Sequence, residues 1–425
     1  MFLEVALARL IKIGTLTVFY PDGSQGSYGS GQNPQLALKI RTARAKRRLF
    51  FNPGLALGEA YMDGDLEPVS GDLFEILDFL AMNSMDGGQH PMDKLMEKVR
   101  WFRRHLDQFN PADRSRRNVA HHYDLDARLY SLMLDEDQQY SCAYFTQGDE
   151  TLEEAQMKKK RHIAAKLKLD RPELEVVDIG CGWGGMALYL AQEFGARVTG
   201  LTLSTEQLKG ATRRAQEAGL SDLVRFELMD YRDWKKPVDR VVSVGMFEHV
   251  GVNHYKTFFD AVRSMLKEDG IALIHAIGRA DGPGSTNPWI AKYIFPGGYS
   301  PALSEVLSVV EKSGLWTTDI EVLRLHYAKT LEHWRQRFAA HRSTLAKIYD
   351  ERFCRMFEFY LIGSELAFRR MGHMNWQLQL TRKLAALPLS RDYMFDAERG
   401  PSLKMPSLGK LPAFEPARQR EVVQP

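Results

Sequence analysis

Four short segments of the chain carry polar or sulfur-containing side chains in otherwise apolar surroundings. They are residues 140–144 (Tyr-Ser-Cys-Ala-Tyr), 245–251 (Gly-Met-Phe-Glu-His-Val-Gly), 273–278 (Leu-Ile-His-Ala-Ile-Gly) and 326–331 (His-Tyr-Ala-Lys-Thr-Leu). Glu248 and His275 can bind and transfer protons. Alone, each is more often structural, and Cys142 alone is often a small buried apolar side chain. Each segment ends a predicted strand or enters the predicted ligand loop, and this shared location favours one common site.

Residues 176–185 (Val-Val-Asp-Ile-Gly-Cys-Gly-Trp-Gly-Gly) predict a buried strand that turns sharply into a helix. The glycines let the backbone approach a ligand, and the helix N-terminus offers N–H groups. A dinucleotide site would have the spacing G-x-G-x-x-G and an acidic residue at the end of the second strand. Here the spacing is G-x-G-x-G-G, and the strand predicted over residues 197–203 ends without a carboxylate. Asp178 could face a ligand's ammonium group, so the pattern favours S-adenosylmethionine over NAD.

The 425 residues exceed one typical domain, and 44% hydrophobic residues provide for a core. The net charge of +3 hides a basic N-terminal region, where residues 1–60 hold eight basic and three acidic side chains. Its cluster over residues 39–48 could contact an anionic surface, either phospholipid or nucleic acid. A solvated helix face explains the same charge equally well.

The three cysteines, Cys142, Cys181 and Cys354, form no C-x-x-C pair and leave an odd number. This predicts a reduced protein with no disulfide and no metal site. No apolar run reaches the ~18 residues that span a bilayer, and the N-terminus does not resemble a secretory signal. We therefore expect a cytoplasmic protein.

The elements predicted around the site alternate between strands and helices, which is typical of an α/β doubly wound parallel sheet with ligands at the carboxyl ends of its strands. Ser204 and Gln207 predict a capping box at the helix over residues 204–218. Beyond residue 280 we predict an aromatic loop, two helices rich in aromatic side chains and a last strand over residues 373–383. Core packing explains most of these rings, and their number also allows an apolar tunnel.

Domain boundaries follow from composition. Residues 1–108 predict a small α+β domain with an amphipathic helix over residues 2–13, a hairpin over residues 15–28 and a further helix over residues 92–109. The amphipathic helix can pack on its own domain, the favoured reading, or lie in a bilayer interface. Residues 109–384 form the second domain. The proline-bearing tail, residues 385–425, is predicted to be disordered.

Several strings resemble the cyclopropane-fatty-acyl-phospholipid synthase family, which includes the mycolic acid cyclopropane synthases. They cover about residues 118–383 in family order, and Tyr-Ser-Cys-Ala-Tyr together with Met-Phe-Glu-His-Val-Gly is far more specific than the glycine turn. Residues 58–64 (Gly-Glu-Ala-Tyr-Met-Asp-Gly) resemble the amino-terminal domain of the phospholipid-acting members. The implied fold is a Rossmann-like class I methyltransferase sheet with added helices that form a lipid pocket, plus the small α+β domain.

The resemblance implies methylene transfer from S-adenosylmethionine to the cis double bond of phospholipid acyl chains, through methyl transfer, a carbocation and deprotonation by bound bicarbonate. The implied bicarbonate cage consists of Cys142, Glu248, His275, the backbone of Ile277, and Tyr327. A buried anion needs several donors around it. Glu248 would accept the proton of bicarbonate, and Cys142 would be a wall of the pocket and not a nucleophile.

The resemblance also implies the cofactor contacts. Tyr140 and Ser141 would close over the cofactor, Gly180 and Gly182 would lie beneath its methionine part with Asp178 in support, Thr202, Leu203 and Gln207 would lie at the ribose, and Asp230 and Tyr231 would flank the adenine. Which ring of residues 231–234 touches the adenine stays open.

The implied partner is unsaturated phospholipid at the inner, anionic membrane surface, to which a peripheral homodimer would bind. The N-terminal domain would hold lipid or pair two chains. Nucleic-acid amino-methylation is disfavoured because residues 245–248 (Gly-Met-Phe-Glu) stand where an Asn/Asp-Pro-Pro-aromatic string would be. A methyl-branched or hydroxylated product, or a lipid-binding protein without catalysis, remain alternatives.

Overall fold

The computed structural model describes residues 2–87, 90, 92, 96, 99–101 and 127–400. Its N-terminal unit contains α1 (Phe2–Leu10), β1 (Thr15–Phe19), β2 (Gln25–Gly29), β3 (Gln35–Ile40), α2 (Ala43–Phe51), α3 (Pro53–Met62), β4 (Leu66–Ser70) and α4 (Leu73–Met85). The four strands form one sheet with the order β2-β1-β3-β4, in which β1 is antiparallel to β2 and parallel to β3. The predicted hairpin and the small α+β unit are therefore confirmed.

Local sequence signals account for the ends of these helices. Asp72 accepts a hydrogen bond from the N–H of Glu75 at 2.8 Å, and the Glu75 carboxylate accepts one from the N–H of Asp72 at 2.8 Å. This capping box fixes the start of α4. α1 ends at Leu10, earlier than predicted, and buries Leu3 and Ala6. The helix predicted over residues 92–109 lies largely outside the described residues, and the predicted domain boundary between residues 108 and 109 lies wholly outside them.

The second sheet has seven strands with the order β10-β11-β9-β8-β5-β6-β7. The elements of this part are α5 (Ala127–Met133), α6 (Leu152–Lys166), β5 (Glu175–Ile179), α7 (Gly185–Phe194), β6 (Arg197–Thr202), α8 (Thr205–Glu217), β7 (Val224–Leu228), β8 (Val238–Val244), α9 (Tyr255–Met265), β9 (Leu266–Arg279), α10 (Pro288–Tyr293), α11 (Leu303–Val310), β10 (Trp316–Val322), α12 (His326–Ile348), α13 (Glu351–Arg369), β11 (His373–Thr381) and α14 (Asp392–Arg399). Strands β5 to β9 run parallel, while β10 and β11 are antiparallel additions.

One helix ends earlier than its sequence predicts. The sequence predicts a helix over residues 254–267 with Gly270 after it as its cap, but the helix ends at Met265 and Gly270 lies inside β9. The reason is that Leu266 already pairs with Val238 of β8. Strand pairing therefore begins before the glycine and ends the helix early.

Two long helices, α12 and α13, pack on each other beside the sheet. Their aromatic side chains, which include Tyr327 of α12, join a buried cluster that also contains Cys142. α13 extends this contact to the N-terminal unit, because its Ile362 and Leu366 belong to the core of that unit. The helical layer thus lies between the N-terminal unit and the seven-stranded sheet. Within the described residues, the helices are too short or too polar to cross a membrane.

A second contact joins the N-terminal unit to α10. Glu59 of α3 is buried, and its carboxylate accepts hydrogen bonds from Lys292 Nζ and the hydroxyl of Tyr293, each at 2.7 Å. Arg48 forms an ion pair with the same carboxylate. A Cβ on Gly58 would lie 2.5 Å from the indole nitrogen of Trp289, so α3 and α10 approach as closely as a glycine allows.

The prediction of a disordered tail from residue 385 is wrong for residues 385–400. Helix α14 packs on α6, buries Met394, and its Glu398 contacts His162 at 3.1 Å. Most of the tail's prolines fall beyond residue 400, outside the described residues. The prediction from proline content therefore started the tail too early, because it missed helix α14.

Candidate active site

A cleft opens at the carboxyl ends of β5, β6 and β8. Parallel strands bring their carboxyl ends to one edge of the sheet, which is where open α/β sheets bind ligands. The cleft is lined by all ten residues for which a cofactor role is predicted, namely Tyr140, Ser141, Asp178, Gly180, Gly182, Thr202, Leu203, Gln207, Asp230 and Tyr231.

The glycine turn forms the floor of this cleft. Gly180 and Gly184 have φ angles of +79° and +84°, which side chains disfavour. A Cβ on Gly180 would lie 2.7 Å from the side chain of Met246, another lining residue. The N–H groups of Gly180 and Cys181 donate to the carbonyl of Leu201 on β6 at 2.9 and 3.0 Å. The turn is thereby fixed, and its backbone is exposed to a ligand.

Asp178, a predicted cofactor contact, lies on β5, and its carboxyl is buried. Burial raises the pKa of Asp178 to about 7, and the charge of Lys159 opposes that rise. A cationic ligand group beside this carboxyl would favour its ionised form. The amino group of S-adenosylmethionine has that charge, so the residues present fit this cofactor.

Hydrogen bonds among neighbouring residues fix the side chains on the predicted ribose side of the cleft. Thr202 Oγ1 donates to Gln207 Oε1 at 2.9 Å and accepts from the N–H of Ser204 at 3.1 Å. Ser204 caps α8 by accepting from the N–H of Gln207 at 3.3 Å. The predicted capping box is thus only half formed, because the Gln207 side chain bonds to Thr202 and not back to Ser204.

The predicted adenine side contains an ion pair that the sequence did not indicate. Arg232 donates to both carboxylate oxygens of Asp230, at 2.8 and 2.6 Å, and lines the cleft beside it. Tyr231 packs edge-on against Phe258, with ring centroids 5.3 Å apart. Arg232 therefore orients the Asp230 carboxylate, and Tyr231 is the ring of this turn that lines the cleft.

The loop before the cleft is fastened by buried basic residues of α6. Lys159 Nζ donates to Gln139 Oε1 at 2.6 Å and to Ser141 Oγ at 2.9 Å. Lys160 Nζ donates to Asp137 Oδ2 at 2.6 Å, and Arg214 pairs with the same carboxylate. The sequence predicts a long charged helix over residues 151–167. No local signal distinguishes these buried lysines from Lys158, their half-buried neighbour.

Glu248 lies where the chain leaves β8, and its carboxyl is joined to β9. Its Oε1 accepts from the N–H of Ile277 at 2.5 Å, while Oε2 is buried without a hydrogen-bond partner among the described residues. Burial raises the pKa of Glu248 to about 7, and the bond from Ile277 opposes the rise. The carboxyl can therefore hold or release a proton near neutrality.

His275 lies two residues before Ile277 on β9, so both residues belong to the same face of the strand. Its Nδ1 lies 3.1 Å from the amide nitrogen of Gln377, the residue directly opposite on β11. Its Nε2 is buried and has no hydrogen-bond partner among the described residues. Burial holds the pKa of His275 well below its ordinary value, so the ring is neutral.

Cys142 and Tyr327 lie in the same buried aromatic cluster, against which Ile277 packs. The N–H of Ala143 donates to Oγ1 of Thr330, one turn after Tyr327, at 3.0 Å. Burial raises the pKa of the Cys142 thiol, and its Sγ donates to the carbonyl of Ala143 at 3.4 Å. A neutral, fully buried thiol can form a wall and is a poor nucleophile.

The structure thus joins Glu248 to Ile277 directly, places His275 on the same face, and groups Cys142 with Tyr327 and Ile277. Sequence reasoning missed Gln377 and Lys159, which bond to predicted site residues. The alternation of polar and apolar residues in β11 (Asn-Trp-Gln-Leu-Gln-Leu) was the available signal for a buried polar face containing Gln377.

The comparisons with known proteins agree on the family. Residues 111–378 match the family model described as mycolic acid cyclopropane synthetase, and residues 2–86 match a domain of unknown function. The cyclopropane-fatty-acyl-phospholipid synthase of Escherichia coli K12 is 39% identical over 349 residues, which are 81% of this chain and 87% of that protein. A probable fatty acid methyltransferase of Pseudomonas putida is 35% identical over 391 residues, covering 88% of this chain and 94% of that protein.

Solved structures agree with the sequence relatives. The cyclopropane synthase MmaA2 from Mycobacterium tuberculosis superposes with a TM-score of 0.60 and 33% identity, over 64% of this chain and 99% of that one. The mycolic acid cyclopropane synthase CmaA1, solved with SAH and CTAB, gives a TM-score of 0.58 and 32% identity over the same shares. The chain therefore belongs to the mycolic acid cyclopropane synthetase family of S-adenosylmethionine-dependent methyltransferases.

Proposed function

We propose that this enzyme is a cyclopropane-fatty-acyl-phospholipid synthase, which adds a methylene group across the cis double bond of a phospholipid acyl chain. One observation carries the proposal: Glu248 Oε2 and His275 Nε2 are buried without hydrogen-bond partners among the described residues. Both residues adjoin the lining of the cofactor cleft, because Met246 and His249 line it on either side of Glu248 in the chain, and Val244, which pairs with His275, lines it too. Buried polar atoms normally have partners. A small oxyanion bound between them would supply these partners, and bicarbonate is such an ion.

The chemistry needs both a strong methyl donor and a base. An isolated double bond is a poor nucleophile, and the cation formed by its methylation must be kept from water. When bound, S-adenosylmethionine supplies the methyl group and bicarbonate supplies the base whose action allows the ring to close. The two polar atoms and the cleft lie at one sheet edge, so the donor and the base would reach the same double bond.

The residues of the pocket have distinct roles in this proposal. Ile277 fixes the Glu248 carboxyl, whose pKa of about 7 lets it take the proton of bicarbonate. Neutral His275 presents Nε2 to the anion, and the hydroxyl of Tyr327 is a further donor. Cys142 closes the pocket as a neutral wall. A wet pocket would capture the cation as an alcohol, so burial of these groups matters as much as their identity.

The aromatic cluster of α12 and α13 is the proposed seat of the acyl chain. It contains Trp334, Phe338 and Tyr360, and Tyr140 joins it to the cofactor cleft by stacking on Trp334 at 4.9 Å and bonding to the Tyr360 hydroxyl at 2.7 Å. The choice of phospholipid is supported by the likeness to the E. coli enzyme, which extends over most of the chain.

The N-terminal unit is the proposed contact with anionic lipid. In the cluster over residues 39–48, three basic side chains form ion pairs within the unit, which leaves Lys39, Arg44 and Arg47 as exposed charges without such pairs among the described residues. The aromatic side chain of Phe51 is exposed beside them. Co-sedimentation of Arg44→Glu/Arg47→Glu with anionic vesicles tests this contact, and wild-type binding by that variant would refute it. Sedimentation velocity tests the proposed homodimer.

A methyl-branched product is the second candidate. The relative from P. putida is a probable fatty acid methyltransferase, and the tuberculostearic acid methyltransferase UfaA1 of M. tuberculosis is also 35% identical, over 375 residues. Both products share the first methyl transfer, and they differ in which proton the cation then loses.

The deciding experiment incubates the full chain with S-adenosylmethionine and a monounsaturated phospholipid. The proposal expects lipid that is heavier by one methylene and shows cyclopropane protons by NMR. The variant Glu248→Gln should bind the cofactor and lose about 10²–10⁴-fold in turnover, as expected for a proton-transfer group. A branched product would establish the second candidate, and no change in lipid mass would refute both.

A further inference from the structure

Helix α6 fastens the cleft-lining residues 139 and 141 through four hydrogen bonds. Gln156 Nε2 donates to the carbonyl oxygens of Gln139, at 3.3 Å, and Ser141, at 2.9 Å. Lys159 Nζ donates to the side chains of the same two residues, at 2.6 and 2.9 Å. Backbone and side chains of this short segment are therefore both held from one helix.

Burying the ammonium of Lys159 costs folding free energy, which argues against a purely structural role for this residue. Its side chain is completely buried, and among the described residues it forms no ion pair, in contrast to Lys160, which pairs with Asp137. A buried ammonium that bonds only to neutral oxygens loses hydration without full compensation. Burial lowers the pKa of Lys159 to about 8, while the nearby carboxyl of Asp135 opposes the fall.

The charge of Lys159 also reaches the residues on either side of it. Burial raises the pKa of the Asp178 carboxyl in the cleft and of the Cys142 thiol, and the charge of Lys159 opposes both rises; it adds to the fall that burial causes in the pKa of His275. Lys159 is therefore within electrostatic reach of both the predicted cofactor seat and the predicted anion pocket.

We propose that Lys159 is a positioning residue for the cofactor, which holds the side chains of Ser141 and Gln139 in place against the cleft and thereby sets the affinity for S-adenosylmethionine. Pre-organised contacts bind more tightly because they need no ordering when the ligand arrives. The inference rests on the assignment of the cleft to the cofactor, and it does not depend on the lipid or on the product.

The first test compares Lys159→Met with wild type in the full chain. Calorimetric titration with S-adenosylmethionine should show affinity weakened roughly tenfold or more, the effect of losing one hydrogen bond from a charged donor. KM for S-adenosylmethionine should rise by the same factor, and KM for lipid should not change. Lys158→Met is the matched control, because the Lys158 ammonium bonds to Thr146 and Glu150 and not to Gln139 or Ser141. Wild-type affinity in Lys159→Met would overturn the proposal.

A double-mutant cycle with Ser141→Ala separates positioning from general damage. If Lys159 acts through Ser141, the two effects on affinity should combine to less than their product. Fully multiplicative effects would overturn the route through Ser141. If Lys159→Met does not fold, Lys159→Gln replaces it, because its amide keeps one donor. The loss of affinity for S-adenosylmethionine should then be intermediate. Wild-type affinity would again contradict the proposal. Wild-type protein that binds S-adenosylmethionine but makes no cyclopropane lipid would refute the proposed function and leave this inference standing.

Discussion

Replacing Glu248 by glutamine should make the folded protein more stable at neutral and alkaline pH while it removes catalysis. Burial raises the pKa of this carboxyl from its ordinary 4.5 to about 7. Because the folded state holds the proton more tightly than the unfolded chain, ionising the group costs stability. At about 1.36 kcal/mol per pH unit, the cost grows from pH 4.5 to pH 7 and reaches about 3 kcal/mol. A neutral amide avoids that cost, and its oxygen can still accept from Ile277.

The assay is thermal and urea unfolding of the wild type and Glu248→Gln at pH 4.5 and pH 8. The variant should be more stable at pH 8 and nearly equal at pH 4.5, where the wild-type carboxyl is protonated in the folded state and only half ionised in the unfolded chain. Glu365→Gln is the matched control, since this buried carboxylate pairs with Arg335 and Arg369 at 2.8 Å each. Its loss should destabilise the protein at pH 8. A Glu248→Gln variant that is less stable than wild type at pH 8 would refute the reasoning.

Three further predictions concern single residues. Gly180→Ala should weaken binding of S-adenosylmethionine, because φ is +79° and the new Cβ would meet Met246; unchanged affinity in a calorimetric titration would contradict this. Nitrogen-15 NMR should find the His275 proton on Nε2, because the amide nitrogen of Gln377 faces Nδ1; a protonated Nδ1 would contradict it. Glu59→Gln should loosen the N-terminal unit, because a buried carboxylate with several donors is lost; limited proteolysis as slow as in wild type would exclude this effect.

The sequence was sufficient for features that depend on short strings. The glycine spacing of residues 180–185, together with Asp178, predicted the turn and favoured its ligand, and the alternation of strands and helices placed the loops at one sheet edge. The ten cofactor residues implied by the family resemblance line one cleft. Most of them lie at or just after strand ends, whereas Tyr140, Ser141 and Gln207 do not and came from the resemblance alone.

The remainder depends on contacts between distant segments. Gln377 meets His275 only because β11 inserts antiparallel beside β9, a register that no local pattern specifies. The burial of Lys159 depends on the loop that α6 covers, so three successive lysines could not be sorted into exposed and buried. The ion pair of Arg232 with Asp230 is the exception, because it joins residues two positions apart and depends on the shape of one turn. These residues surround the candidate site, and sequence reasoning therefore predicts its position better than its supports.

The most direct test of the oxyanion pocket is the dependence of cyclopropane formation on bicarbonate. The full chain is assayed with S-adenosylmethionine and monounsaturated phospholipid in buffer freed of carbon dioxide, with and without added bicarbonate. The account predicts that the rate rises with bicarbonate, that the affinity for S-adenosylmethionine does not change, and that Glu248→Gln does not respond. A wild-type rate that is the same in both buffers would contradict it.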